Sequence, residues 1–169
     1  MDVTDRTKRN KWIYIMAVAL ALTSCNRHTI YSHYESIASE GWERNDSICF
    51  DIPTIPEDGE YTQTIGLRTD NTYPYKNLTL VVKRYEGRGA RDEGRGARCD
   101  TLDIQIADDE GNLLGTGMNH YQYEMALPSI TLHQGDSLHV SVTHLMRREC
   151  LPGITDLGFC CALRQYGGR

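Results

Sequence analysis

The sequence predicts an all-β fold: an antiparallel β-sandwich, jelly-roll or immunoglobulin-like, preceded by a cleaved signal-peptide helix. Three observations predict it. Apolar residues recur at every second position in six separate runs. Clusters of Gly, Pro, Asn and Asp separate those runs. Beyond residue 24 no long segment keeps a 3.6-residue period, so no helix competes for the core.

The N-terminus has a different character. Arg6, Lys8, Arg9 and Lys11 precede eleven mostly apolar residues, Trp12 to Leu22. A charged start, a short apolar run and small residues make a signal peptide. The run is too short to span a bilayer, which takes about 20 residues. Leu22-Thr23-Ser24-Cys25 has the bacterial lipobox pattern, so Cys25 is the expected lipidation site. Its thiol takes a diacylglycerol, the leader is removed and the new amino terminus is acylated. Each buried methylene contributes about 0.8 kcal/mol, and two or three chains hold firmly where one does not. An ordinary secretory signal or a short anchor helix are the competing readings.

The expected organisation is a leader over 1–24, a lipidated tether and lead-in segment over 25–46, and a sandwich over 47–169. Residues 26–46 read as polar and irregular. The first strand carries Ile48, Phe50 and Ile52. Tyr61, Gln63, Ile65 and Leu67 mark the second, and Leu78, Leu80 and Val82 the third. Leu102, Ile104 and Ile106 alternate with Thr101, Asp103 and Gln105. Leu138, Val140 and Val142 follow, and Leu157, Phe159, Cys161 and Leu163 close the series. His144–Leu151 reads as a helical turn between the last two strands. Glu86-Gly87-Arg88-Gly89-Ala90-Arg91 recurs as Glu93 to Arg98, a tandem copy that lengthens a Gly/Arg-rich hairpin loop at 86–98. It lacks the aromatic interleaving of a basic nucleic-acid arm.

Charge excludes some partners. The whole chain carries −5 and the leader through Ser24 carries +2, which leaves −7 on residues 25–169. That balance argues against nucleic acid and against broad docking on anionic lipid. Ten Tyr against two Phe suit half-buried strands and contact surfaces. With Cys25 lipidated, five cysteines remain, an odd number. No disulfide framework is expected. A single bridge, where one forms, favours Cys150 with Cys160.

Candidate chemistry is sparse. No CxxC-like spacing suggests zinc, and His133, His139 and His144 do not share a strand face, so no metal or cofactor is expected. These histidines read as exposed strand residues. Asp108-Asp109-Glu110 around Gly111 reads as a hairpin turn rather than a calcium loop. No G-x-S-x-G elbow is present, and the sequence gives no reason for Cys49 or Cys99 to act as a nucleophile, so no catalytic residue is named. Asp-Ser/Thr-aliphatic occurs at Ser47, Thr101 and Ser137. It resembles the O-glycan acceptor of exported Bacteroidota proteins, although a turn entering a strand favours the same residues.

Four blocks together resemble one family. They are Tyr31 to Phe50, Ile65 to Leu78 (with Tyr73-Pro74-Tyr75), Asp109 to Gly117, and Met146-Arg147 with Leu151 to Gly158. In that order, and with the lipobox, they resemble the gliding-motility-associated lipoprotein GldH family of Bacteroidota. The tandem insert and the Cys-rich end depart from it. The resemblance implies a non-catalytic lipoprotein of the outer membrane. Its expected partners are other envelope lipoproteins or proteins of the motility and secretion complexes. Asn26-Arg27-His28 carries no acidic cluster of the surface-export kind, which implies the periplasmic face. Arg68, Tyr73, Tyr75, Met146 and Arg147 are the candidate partner contacts, with a buried ion pair as the alternative role for Arg68 and Arg147. Rival readings are a glycan-binding surface lipoprotein, which needs an exposed Tyr or Trp platform, and an enzyme, which needs a pocket with convergent groups. Trp42, ahead of the expected sandwich, weighs against the former.

Overall fold

The computed structural model describes residues 28–52, 54–87 and 97–164. Alternating side chains give ten strands there and no helix. They are β1 (Thr29–Ser36), β2 (Trp42–Glu43), β3 (Ile48–Ile52), β4 (Gly59–Thr69) and β5 (Asn77–Gly87), then β6 (Arg98–Gln105), β7 (Tyr121–Leu132), β8 (Ser137–His144), β9 (Cys150–Leu151) and β10 (Ile154–Leu163). One sheet runs β1-β10-β4-β7 and the other β3-β8-β5-β6, while β2 and β9 form a small ladder of their own. All described pairings are antiparallel. Counting only the eight long strands in chain order, the sheets read 1-8-3-6 and 2-7-4-5. That is jelly-roll winding, not immunoglobulin winding.

The period-two pattern becomes the core. Leu78, Leu80 and Val82 of β5, Val140 and Val142 of β8, and Ile65 and Leu67 of β4 are fully buried. Phe50 of one sheet stacks on Phe159 of the other, with ring centroids 5.8 Å apart. A two-sheet core about 10 Å thick needs large side chains from both faces, and these supply them.

Four features differ from the sequence reading. The sandwich begins at Thr29, because β1 pairs along β10 from Thr29 to Ser36. Its residues are mostly polar because it is an edge strand, so the lead-in segment is shorter than expected. Trp42 belongs to the core at 2% exposure, with its indole N–H donating to the Asp46 carbonyl. β7 was not anticipated at all. A bulge where Tyr61 and Gln63 face Ile130 and Leu127 shifts its phase, and Pro128 interrupts it. Pro is tolerated there because β7 lies at a sheet edge. Residues 145–149 form bends without helix.

The five cysteines among the described residues are free. Cys150 lies in β9, where its thiol donates to the Glu40 carbonyl. Cys160 sits mid-strand in β10, between Ser32 and Thr64, so the favoured Cys150–Cys160 bridge does not form. Cys160 and Cys161 point to opposite faces as adjacent strand residues must, and only Cys161 is buried. Of the tandem insert, residues 88–96 lie outside the described residues. At its base an Arg98–Glu86 ion pair spans 3.2 Å.

One buried cation interrupts the apolar interior. Arg84 continues the inward series of β5 and is 2% exposed. Its guanidinium donates to Gln63 Oε1 (2.9 Å), to the Pro128 carbonyl (2.9 Å) and to the Asp100 carboxylate. Gln63 and Pro128 belong to the opposite sheet, so this one side chain ties the layers together. A charge in the interior is tolerated only while paired and hydrogen-bonded. Asp100→Ala should therefore cost about 3 kcal/mol in urea unfolding, because it strands the Arg84 charge. Arg84→Met with Asp100→Asn should cost less than Asp100→Ala alone. A harmless Asp100→Ala would show that the bridge contributes nothing.

Candidate functional site at the loop end of the sandwich

The sandwich has two ends. At the near end β1 begins and β10 finishes: the Leu163 N–H donates to the His28 carbonyl and Arg164 pairs with Glu60. The far end carries four connections, 37–47, 70–76, 106–120 and 145–153. All four resembling blocks pass through that end, and two of them touch. Gly153 adopts φ +81°, and a Cβ on it would lie 2.2 Å from the Tyr73 nitrogen. Only glycine permits both the left-handed turn and that approach. The Ile106 N–H donates to the Lys76 carbonyl, joining the third connection to the second.

The candidate contact residues take different positions. Tyr73 is buried, with its hydroxyl donating to the Asn77 carbonyl at 2.9 Å. Burial pushes its phenol well above the ordinary range. It anchors the loop. Tyr75 meets it edge-on, with centroids 5.9 Å apart, and is exposed. Met146 is half-buried against the core and Arg147 is exposed. Arg68 lies elsewhere, on the outer face of the β1-β10-β4-β7 sheet. Its guanidinium covers the Tyr34 ring 4.2 Å from the centroid. It makes a cation–π contact instead of a buried ion pair.

Tyr34 itself fills a trough. Gly158 and Gly66 stand side by side beneath it in register. A Cβ on Gly66 would come 2.1 Å from the Tyr34 hydroxyl, and one on Gly158 would come 2.6 Å from the ring. Burial raises the Tyr34 pKa by more than Arg68 lowers it. A groove of about 270 Å³ beside it is lined by Ser32, Thr64, Gln122, Glu124 and Cys160. Burial also raises the Cys160 thiol, and it pushes Cys161 up to about 12, so neither is a ready thiolate. Tyr75 is the one large aromatic that is exposed among the described residues, so no stacking platform of several rings forms there.

The ionisable groups are dispersed. Asp108 accepts the N–H groups of Glu110 and Asn112 and the Asn112 side chain, which hold its carboxyl below the usual range. That is an Asx-type turn. His139 Nδ1 meets Asp51 Oδ1 at 2.6 Å on the outer face of its sheet, and His133 meets Asp58 at 3.6 Å at the near end. His144 is not the exposed residue expected. It is 2% exposed, 3.2 Å from the Trp42 carbonyl through Nε2, with the indole edge-on at 5.3 Å. Its Nδ1 has no partner. The candidate glycan acceptors also separate: Ser47 and Thr101 are exposed, whereas the Ser137 hydroxyl donates to the Gly87 carbonyl. Cys25 lies outside the described residues. Arg84 and His144 were missed by sequence reasoning, although both fall in step with inward apolar series.

Fold and site together define a jelly-roll module that presents loops at its far end. The family model described as GldH lipoprotein matches residues 29–160, and the chain belongs to that family. The "Gliding motility lipoprotein GldH" of Flavobacterium johnsoniae is 28% identical, over 89% of this chain and 94% of that one. The "Gliding motility lipoprotein GldH homolog" of Christiangramia forsetii is 26% identical, over 91% and 95%. Among solved structures, tripeptidyl peptidase 2 gives a TM-score of 0.47 at 12% identity, covering 79% of this chain and 10% of that one. A family 35 carbohydrate-binding module from Clostridium thermocellum gives 0.42 at 8% identity, covering 80% and 90%. At these values neither likeness bears on function.

Two measurements check this geometry. Gly66→Ala should displace the Tyr34 ring from its trough and from Arg68. In a double-mutant cycle with Tyr34→Ala the two losses should overlap by about 0.5–3 kcal/mol, and strict additivity would contradict the trough. Burial lowers the His144 pKa, with Arg44 adding to it. The folded ring therefore prefers to be neutral, while the unfolded chain takes up a proton near pH 6.5. His144's contribution to stability is present above about 6.5 and lost as pH falls below it, down to the folded pKa. His144→Gln keeps a donor for Trp42 and should flatten that acid limb of the unfolding curve. An unchanged limb would assign it elsewhere.

Proposed function

We propose that this chain is a lipid-anchored protein of the outer membrane that serves gliding motility, or the assembly and stability of the envelope and secretion machinery. It acts by contact rather than catalysis. The observation that supports this most is the match of nearly the whole chain with relatives named gliding motility lipoprotein. Residues 1–24 serve as the leader and Cys25 carries the lipid. Because β1 starts at Thr29, only Asn26, Arg27 and His28 separate lipid from sandwich. The body then sits on the periplasmic face with its near end toward the bilayer. Its partners are other envelope lipoproteins or components of the motility and secretion complexes. Thr101 and Ser47 are the favoured O-glycan acceptors because both are exposed.

The test is a crosslinked pull-down of the native lipoprotein from its own outer membrane, beside Cys25→Ala. Envelope or secretion lipoproteins should be recovered with the native protein and lost with the variant. Recovery of polysaccharide and glycan-processing proteins alone would overturn the proposal in favour of glycan binding. The intact mass of the same preparation reads the acyl and glycan additions directly.

A further inference from the structure

The far end holds an uneven share of exposed apolar surface. Sheet order sets the sequence of its connections: 37–47, then 145–153, then 70–76, then 106–120. Leu145 lies on the second, Tyr75 on the third, and Leu114 and Met118 on the fourth. These four are the exposed large hydrophobics among the described residues, with exposures of 54%, 38%, 51% and 88%. None lies on a sheet face or at the near end. Single exposed apolar residues are ordinary, but their concentration on three adjacent loops marks a contact surface. The loops themselves are held firmly. Lys76 reaches the Asp109 carbonyl at 2.9 Å, the Leu114 N–H donates to the Ile106 carbonyl and the Leu145 N–H to the Thr79 carbonyl.

Charge says what this surface accepts. The four connections contain eight acidic residues (Glu40, Glu43, Asp46, Asp70, Asp108, Asp109, Glu110, Glu149) and four basic ones (Arg44, Lys76, Arg147, Arg148), a net of −4. A second copy would bring −4 against −4, and an anionic bilayer would be repelled as well. The described residues that border the rest of the chain, His28, Ile52, Thr54, Gly87, Ala97 and Arg164, all lie at the near end.

We propose that the far end is a docking surface for a different protein, one whose apolar side chains are set among lysines and arginines. Leu145, Tyr75, Leu114 and Met118 supply the apolar contact. Glu110, beside the Lys76–Asp109 ion pair (3.3 Å), gives it an acidic flank that steers the basic partner. The proposal does not rest on the motility reading, since a partner of any pathway is recognised by this chemistry.

The test uses the full-length lipidated protein in isolated native membranes. A benzoylphenylalanine photocrosslinker replaces Met118, Leu145 or, as a near-end control, Gln134. One protein other than this chain should be trapped from positions 118 and 145 and not from 134, through a peptide carrying Lys or Arg beside an apolar residue. Trapping should fall about threefold or more as salt rises from about 0.05 to about 0.5 M. Glu110→Lys, at an exposed position of the same loop, should lower it similarly. Trapping of nothing, of copies of this chain, of lipid, of the same species from 134, or of a partner insensitive to salt would each overturn the proposal. A pull-down that depends on Cys25 can succeed in every one of those cases, so the two readings fail separately.

Discussion

Neither four-stranded sheet could stand alone, because each hides its apolar face only against the other. The Phe50–Phe159 stack, the Tyr123 hydroxyl donating to the Ile106 carbonyl and the Arg84–Gln63 bond all cross the same interior. Sheet-to-sheet burial supplies most of the driving force, at about 25 cal/mol per Å² of apolar area. The polar crossings add direction to it. Arg84 reaches both Asp100 on its own sheet and the bulged carbonyl of Pro128 on the other. A one-residue slip of β5 would turn Arg84 to solvent and Lys83 inward, so the bridge also guards the register.

The fold was legible where strands alternate cleanly. Leu78-Leu80-Val82 and Leu138-Val140-Val142 went inward as their spacing requires. The misses have identifiable causes. β1 is an edge strand whose Thr29-Ile30-Tyr31-Ser32 start mixes polar and apolar residues, so its pairing with β10 leaves little trace in the pattern. β7 loses its phase at the bulge by Pro128. Arg84 and His144 occupy positions that alternation marks as internal, but their side chains are ordinarily solvated. Only the partners reveal why they are inside, and those partners are 16 to 102 residues away in sequence.

The candidate site was legible as motifs and not as geometry. Sequence motifs grouped Tyr73, Tyr75, Met146 and Arg147 with Arg68. The structure gathers the first four at one end of the molecule and leaves Arg68 on a sheet face with Tyr34. Within the pair Tyr73 and Tyr75, adjacent spacing hid opposite fates, one ring buried and the other presented. Leu114 and Met118, two of the four exposed large apolar residues, lie in a stretch whose glycines read only as turns. Exposure is a three-dimensional property, and a turn-rich stretch gives no signal of what its side chains face.

The last strand made is an inner one. β10 lies between β1 and β4, so the earliest and a middle strand must wait for the final residues before their sheet can close. Jelly-roll winding of this kind gives long-range pairings and slow folding. The β1-β10-β4-β7 sheet therefore stays open until β10 has been made. Until β10 is available, β1 and β4 have no shared neighbour, and both keep an unpaired edge where strand pairing is most exposed to error.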